Sequence, residues 1–125
     1  MRQSVTTSDA PSAIGPYSQG LRHGDLLWAS GQLGVVPASG ALVGDGVAEQ
    51  AEQALRNLDA VCREAGTSLV KAVKCTVYLT DMADFPVVNT VYERFFEVPY
   101  PARATVQVAA LPRGGRVEID AVVAL

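Results

Sequence analysis

The chain has 125 residues, 49% hydrophobic and 18% charged, with ten Lys and Arg against thirteen Asp and Glu for a net charge of −3. That size suits one domain over residues 1–125, able to bury roughly two thirds of its unfolded surface. Mild acidity with no block of like charges argues against a nucleic-acid or membrane binder that works through a basic field. Mean hydropathy is +0.19, yet no stretch approaches the roughly 18–20 apolar residues of a membrane span and no signal peptide opens the sequence. The expectation is a cytosolic protein, part of whose apolar surface meets another copy of itself.

Along the chain, a turn-rich segment at 10–20 leads to a hairpin, with Leu21–Arg22 and Leu26–Ser30 flanking His23-Gly24-Asp25, and a third short strand at Gly31–Val36. Pro37–Gly40 reads as a turn and Asp45-Gly46 as a helix cap. Val47, Ala51, Ala54, Leu55, Leu58, Cys62 and Ala65 then recur at three-and-four spacing. This predicts a helix over 47–65 closed by Gly66. Lys71–Thr80 alternates as a half-buried strand with Val73, Cys75, Val77 and Leu79 on one side. Asp84 is placed to cap a second helix, Phe85–Glu97, whose inner face carries Phe85, Val88, Tyr92, Phe95 and Phe96. Val98-Pro99-Tyr100-Pro101 stops it. Two last strands, Ala102–Ala109 and Arg116–Leu125, are expected to pair antiparallel. The order predicts an α+β two-layer sandwich: a mixed sheet with two helices on one face and a bare face closed by self-association. Cys62 and Cys75 are too few for a disulfide scaffold and read as reduced, buried thiols.

Period-two counting on the last strands puts Arg103, Thr105 and Gln107 opposite Ala104, Val106 and Val108, and Arg116, Glu118 and Asp120 opposite Val117, Ile119 and Ala121. An Arg and a Glu are thus expected on adjacent strands, facing away from the helices. Arg103 suits a carboxylate clamp, although spacing alone favours an interface ion pair. Glu118 can orient or deprotonate water if burial raises its pKa, although strand carboxylates are commonly solvated or paired. The loop Ile14–Gly20 suits a pocket wall or a plain turn, Ser30-Gly31-Gln32 could aim a backbone N–H at a ligand, and Asn89 is placed as a surface amide. A Ser-His-Asp or Cys-His constellation would have to rest on the single histidine, His23, in a flexible turn, which disfavours it; metal ligands are not clustered and no dinucleotide fingerprint occurs, so neither metal nor cofactor is expected.

Ala10-Pro11, Ala13–Gly20, Ser30-Gly31-Gln32, Asn57-Leu58, Val87-Val88-Asn89, Tyr92, Pro101-Ala102-Arg103 and Val117–Ala121 together resemble the RidA family of reactive enamine and imine deaminases, nearly end to end. The resemblance implies a chorismate-mutase-like fold and a homotrimer with pockets between subunits. It also implies hydrolysis of 2-aminoacrylate and related 2-imino acids to 2-keto acids and ammonia. By position, Arg103 would hold the substrate carboxylate and Glu118 the attacking water, while Tyr17, Ser30, Gly31 and Asn89 would line the pocket. Thr105, also a candidate for the substrate pocket, stands where several members have cysteine. Strand register alone leaves open whether Arg103 and Glu118 of one pocket belong to one subunit or two. The competing readings are a ribonuclease or translation inhibitor, which the charge and single histidine disfavour, and a non-enzymatic metabolite-binding module using Arg103 without Glu118.

Overall fold

The computed structural model describes residues 1–125. Strands β1 (Arg2–Val5), β2 (Gly20–His23), β3 (Leu26–Leu33), β4 (Ala72–Leu79), β5 (Ala102–Gln107) and β6 (Val117–Ala124) form one mixed sheet in the order β1-β2-β3-β6-β4-β5. Helices α1 (Val47–Glu64) and α2 (Phe85–Glu93) are the second layer, with α1 packed on β3 and β6 and α2 beside α1. The expected two-layer architecture is therefore present. Its core is one cluster of 24 buried residues, in which Ala51, Ala54, Leu55, Leu58, Val61 and Cys62 of α1 meet Leu27, Cys75, Val77, Leu79, Val117, Ile119, Ala121 and Val123 of the sheet. No helix is long and apolar enough to cross a membrane.

Several local expectations hold for the reasons given. The hairpin turns at Gly24, whose φ is +60°, and α1 ends before Gly66 at φ +87°, both left-handed positions that favour a residue without Cβ. Cys62 and Cys75 are free and buried, and burial pushes the Cys62 thiol up to about 12. Others need correction. β3 is one strand and not two, with a bulge that inserts one extra residue between Ala29 and Gln32. The alternation of β4 breaks at Val73, which is half exposed because β4 bulges between Ala72 and Lys74. Helix α2 stops at Glu93, one turn short of the expected end. Asp84 makes no cap: its carboxylate takes Arg116 Nη2 at 2.9 and 3.0 Å, while Asp81 caps the preceding turn through Ala83 N.

The largest correction concerns the last two strands, which are not neighbours. β5 returns from β4 through α2 and pairs parallel to it, Cys75 opposite Arg103 and Val77 opposite Thr105. β6 takes the centre, antiparallel to both β3 and β4. Its Val117, Ile119, Ala121 and Val123 form an unbroken apolar row that a central strand can bury, whereas β5 offers Arg103, Thr105 and Gln107 on that side and is left at the edge. Direct partners share a face. Arg103 therefore points, like buried Cys75, toward the helix layer, and Glu118, opposite Tyr78, points to the open face. The two residues lie on opposite faces of the sheet, with β4 between their strands. The open face carries Leu21, Trp28, Tyr78, Val106 and Val122, with Trp28 51% exposed and no helix over it.

Candidate functional site

Glu118 lies on β6 opposite Leu33, just beyond the β3 bulge. The bulge brings Gly31 against the carboxylate so closely that a Cβ there would stand 2.2 Å from Glu118 Oε2. Only glycine admits the side chain in this position. Ser30 ties the neighbouring loop down, its Oγ donating to Ser18 O at 2.6 Å and its N to Gln19 O at 3.0 Å. Gln19, buried, clamps the loop from behind: Oε1 accepts from Thr7 N at 2.7 Å, and Nε2 donates to the carbonyls of Thr7, Ala10 and Pro11 at 3.1, 3.3 and 2.6 Å. Tyr17 stands half exposed at the rim. Tyr17, Ser30, Gly31 and Glu118 thus line one cavity of about 730 Å³, with Leu33, Val35, Pro37 and Pro112 as its apolar wall. The wall is set by α1. Asn57 Nδ2 donates to Leu33 O and Val35 O at 3.2 and 2.8 Å, and Gln50 joins Gly44 O to Arg116 N. Half-burial, and secondarily the charge of Asp120, raises the Glu118 pKa above the ordinary carboxylate value.

Arg103 and Asn89 form the second centre. Arg103 Nη1 donates to Asn89 Oδ1 at 2.8 Å, and the guanidinium lies 4.8 Å from the ring centroid of Tyr92 and 5.3 Å from that of Phe85. Stacking occupies the faces of the fork and leaves in-plane N–H groups to a ligand. Tyr92 is fixed from below, its ring 4.5 Å from that of Phe96. Its hydroxyl is buried beside the Cys75 thiol without a well-formed hydrogen bond, and burial raises its pKa. A recess of about 350 Å³ opens here, bounded by Asn89, Tyr92, Glu93, Tyr100, Pro101 and Arg103. Arg103 makes no ion pair within the chain; those present join Arg56, Arg63, Arg94 and Arg116 to other carboxylates.

The structure therefore brings Tyr17, Ser30, Gly31 and Glu118 together, and Arg103 with Asn89, but does not unite the two sets in one chain. Through β4, Arg103 is level with Ala121. Two strand spacings across and three residues along leave roughly 14 Å between the Cα atoms of Arg103 and Glu118, with the sheet between their side chains. Thr105 lines neither cavity. It faces the helix layer opposite Val77, with its Oγ1 buried and unpartnered. Phe85 was legible only as a core residue, and Tyr92 as that and as part of the family pattern, although Phe85, Asn89 and Tyr92 at i, i+4 and i+7 carry the signal of a shared face. Tyr100 had read only as part of a helix stop, and Pro101 as that and as the start of the Pro101-Ala102-Arg103 motif. A further recess of about 620 Å³ on the outer side of α1 includes Arg56, Asp59 and Arg63, whose charges are matched in i,i+4 pairs. No group of three or more His, Cys, Asp or Glu is placed to hold a metal.

The family model described as Endoribonuclease L-PSP matches residues 7–125. A RutC family protein of Sinorhizobium fredii is 54% identical over 125 residues, which is 100% of this chain and 99% of that protein. A 2-iminobutanoate/2-iminopropanoate deaminase of Bos taurus is 52% identical over 122 residues, 98% of this chain and 89% of that protein. The crystal structure of RidA from a Psychrobacter species superposes with a TM-score of 0.95 at 47% identity, covering 98% of this chain and 99% of the other.

Proposed function

Since this chain belongs to the RidA family, also described as Endoribonuclease L-PSP, we propose that it hydrolyses reactive 2-imino acids, the tautomers of 2-aminoacrylate and its homologues, to 2-keto acids and ammonia. Relatives about half identical over nearly the whole chain bear the name of that activity. The observation that carries the reading is the pair of half-sites: a free guanidinium with in-plane donors, and a half-buried carboxylate of raised pKa beside a cavity.

The chemistry suits these groups. An iminium carbon is already electrophilic, so orientation and one placed base suffice. Arg103 takes the substrate carboxylate in its fork, with Asn89 holding the other edge of the guanidinium. Glu118 takes a proton as water adds to the imine carbon, and the C=N π pair goes to nitrogen. The proton then passes to that nitrogen, and as the C–N bond breaks Glu118 takes the hydroxyl proton, so that the carbonyl forms and ammonia leaves. A carboxylate with a raised pKa is the stronger base and takes a proton from the attacking water more readily than an ordinary one.

Arg103 and Glu118 of one chain cannot reach the same three-carbon substrate. The working pocket is therefore composite, with the Arg103 half of one subunit closing the Glu118 half of its neighbour in a homotrimer. The uncovered sheet face and exposed Trp28, Tyr17 and Ile14 supply apolar surface for that contact. The partners are thus other copies of this chain and a small imino or keto acid.

The test couples the protein to an imine-releasing pyridoxal-phosphate dehydratase and measures keto acid against semicarbazone when semicarbazide competes. Wild-type protein should divert flux to keto acid, and Arg103→Ala and Glu118→Gln should each lose at least 100-fold. Co-assembled from equal amounts of the two variants, about a quarter of the pockets regain both groups and activity returns, because each composite site draws one residue from each chain. No recovery would place both groups in one chain. Retained affinity for keto acid with no wild-type turnover would make the protein a binding module.

A further inference from the structure

We infer that Arg113 forms a second anion subsite in the Glu118 cavity, which adapts the protein to imino acids whose side chain ends in a carboxylate. The inference rests on the deaminase reading and extends it to substrate class.

The Glu118 cavity, about 730 Å³ in the single chain, is the half that the neighbouring subunit closes in the composite pocket. Away from Glu118 its wall is made of Leu33, Val35, Pro37 and Pro112, then Gly40 and Arg113. Among the lining residues only Glu118 and Arg113 carry charge. Arg113 has no carboxylate within ion-pair distance. Its guanidinium donates through Nη1 to the Gly40 carbonyl, across the gap between two turns distant in sequence. That contact uses one donor and leaves the rest of the fork available.

The backbone points to a purpose for this side chain. Arg113 has φ +61°, the only non-glycine residue in the left-handed region, and Gly114 follows at φ +70°. A glycine at 113 would take this conformation without strain. A strained arginine, anchored to the opposite turn and facing a cavity without a counter-ion, is the arrangement expected of a ligand-binding group. A substrate with its imine carbon at Glu118 can lay its methylenes along Leu33 and Pro112 and present a second carboxylate to Arg113. Exposure limits the gain.

The full-length protein is assayed with two imines of matched length, made in situ by a flavin amino-acid oxidase from norvaline and from glutamate, with semicarbazide as competitor. The wild type should turn over both. Arg113→Gly should lower the ratio of kcat/KM for the glutamate imine over the norvaline imine about tenfold, without lowering the melting temperature, and Arg113→Lys should restore part of it. A ratio within twofold of wild type in Arg113→Gly would overturn the inference, as would a wild type that accepts the norvaline imine and rejects the glutamate imine. A lowered melting temperature with an unchanged ratio would make Arg113 a structural tie between the two turns. Failure of the wild type on both imines would instead bring down the deaminase reading itself.

Discussion

Glu118 and Arg103 are held in contrasting ways. Glu118 rises from a central strand, half-buried, against a glycine that leaves no spare space, beside a loop clamped by the four hydrogen bonds of Gln19. Arg103 rises from an edge strand, exposed, held by two ring faces and one amide. A proton-accepting carboxylate needs desolvation to raise its pKa, so it belongs where backbone and neighbours exclude water. A carboxylate clamp needs open in-plane donors, and stacking fixes the plane of the fork without using them. Rigidity is supplied by packing in one half and by electrostatics of ring faces in the other.

Gly31→Ala attacks the first device most directly. The added Cβ overlaps the carboxylate, so Glu118 must swing away. Kcat should fall about 100-fold, the scale that a displacement of an ångström or so brings, with little change in melting temperature because the far end of a side chain yields. Measured kcat near wild type would show that Glu118 acts from more than one position.

The second half should respond more weakly and in a different parameter. Phe85→Leu and Tyr92→Leu each remove one ring from the Arg103 stack, and KM for the imine should rise about three- to fivefold, the value of an exposed cation–π contact. Tyr92→Phe keeps the ring and should leave KM unchanged. A loss confined to kcat in the leucine variants would mean that the rings do not orient the clamp. Tyr92→Leu should also cost roughly 1–3 kcal/mol of stability as a change of shape in the core, which Phe85→Leu, less buried, separates from the effect on KM.

The smallest effect concerns pH. Glu118 must be ionised to accept a proton, so kcat/KM should fall as pH drops through its pKa, which burial first and Asp120 second raise above the usual carboxylate value. Asp120→Asn removes the second cause, and the acid limb should move to lower pH by a fraction of a unit. An immobile limb would assign it to another group. The same shift has a stability consequence of opposite sense: a raised carboxyl pKa contributes stability below the unfolded-state value and loses it as pH rises through the folded one. Glu118→Gln should therefore melt no lower than wild type at pH 7, although it is inactive.

Local periodicity in the sequence was sufficient for α1 and its Gly66 end, the alternation of β4 from Cys75 onward, the buried row of β6, the hairpin at Gly24 and the two-layer class, because each depends on side-chain spacing over a few residues. Arg103 and Glu118 were also legible, as charged groups in a chain short of charge, and Tyr17, Ser30, Gly31 and Asn89 through the family resemblance. Strand order was not. Whether β5 and β6 pair depends on which strand can bury a whole face, a competition among distant segments that β6 wins. That outcome turned Arg103 toward α2, against the expectation from alternation, since the apolar side of an edge strand need not face the helices, while Glu118 stands on the open face as alternation indicates. The sequence alone determined the candidate residues for the proposed chemistry and most of the elements that bear them. Only the tertiary structure decided that a single chain holds them apart, because long-range pairing and not local pattern sets the side of the sheet on which each one stands.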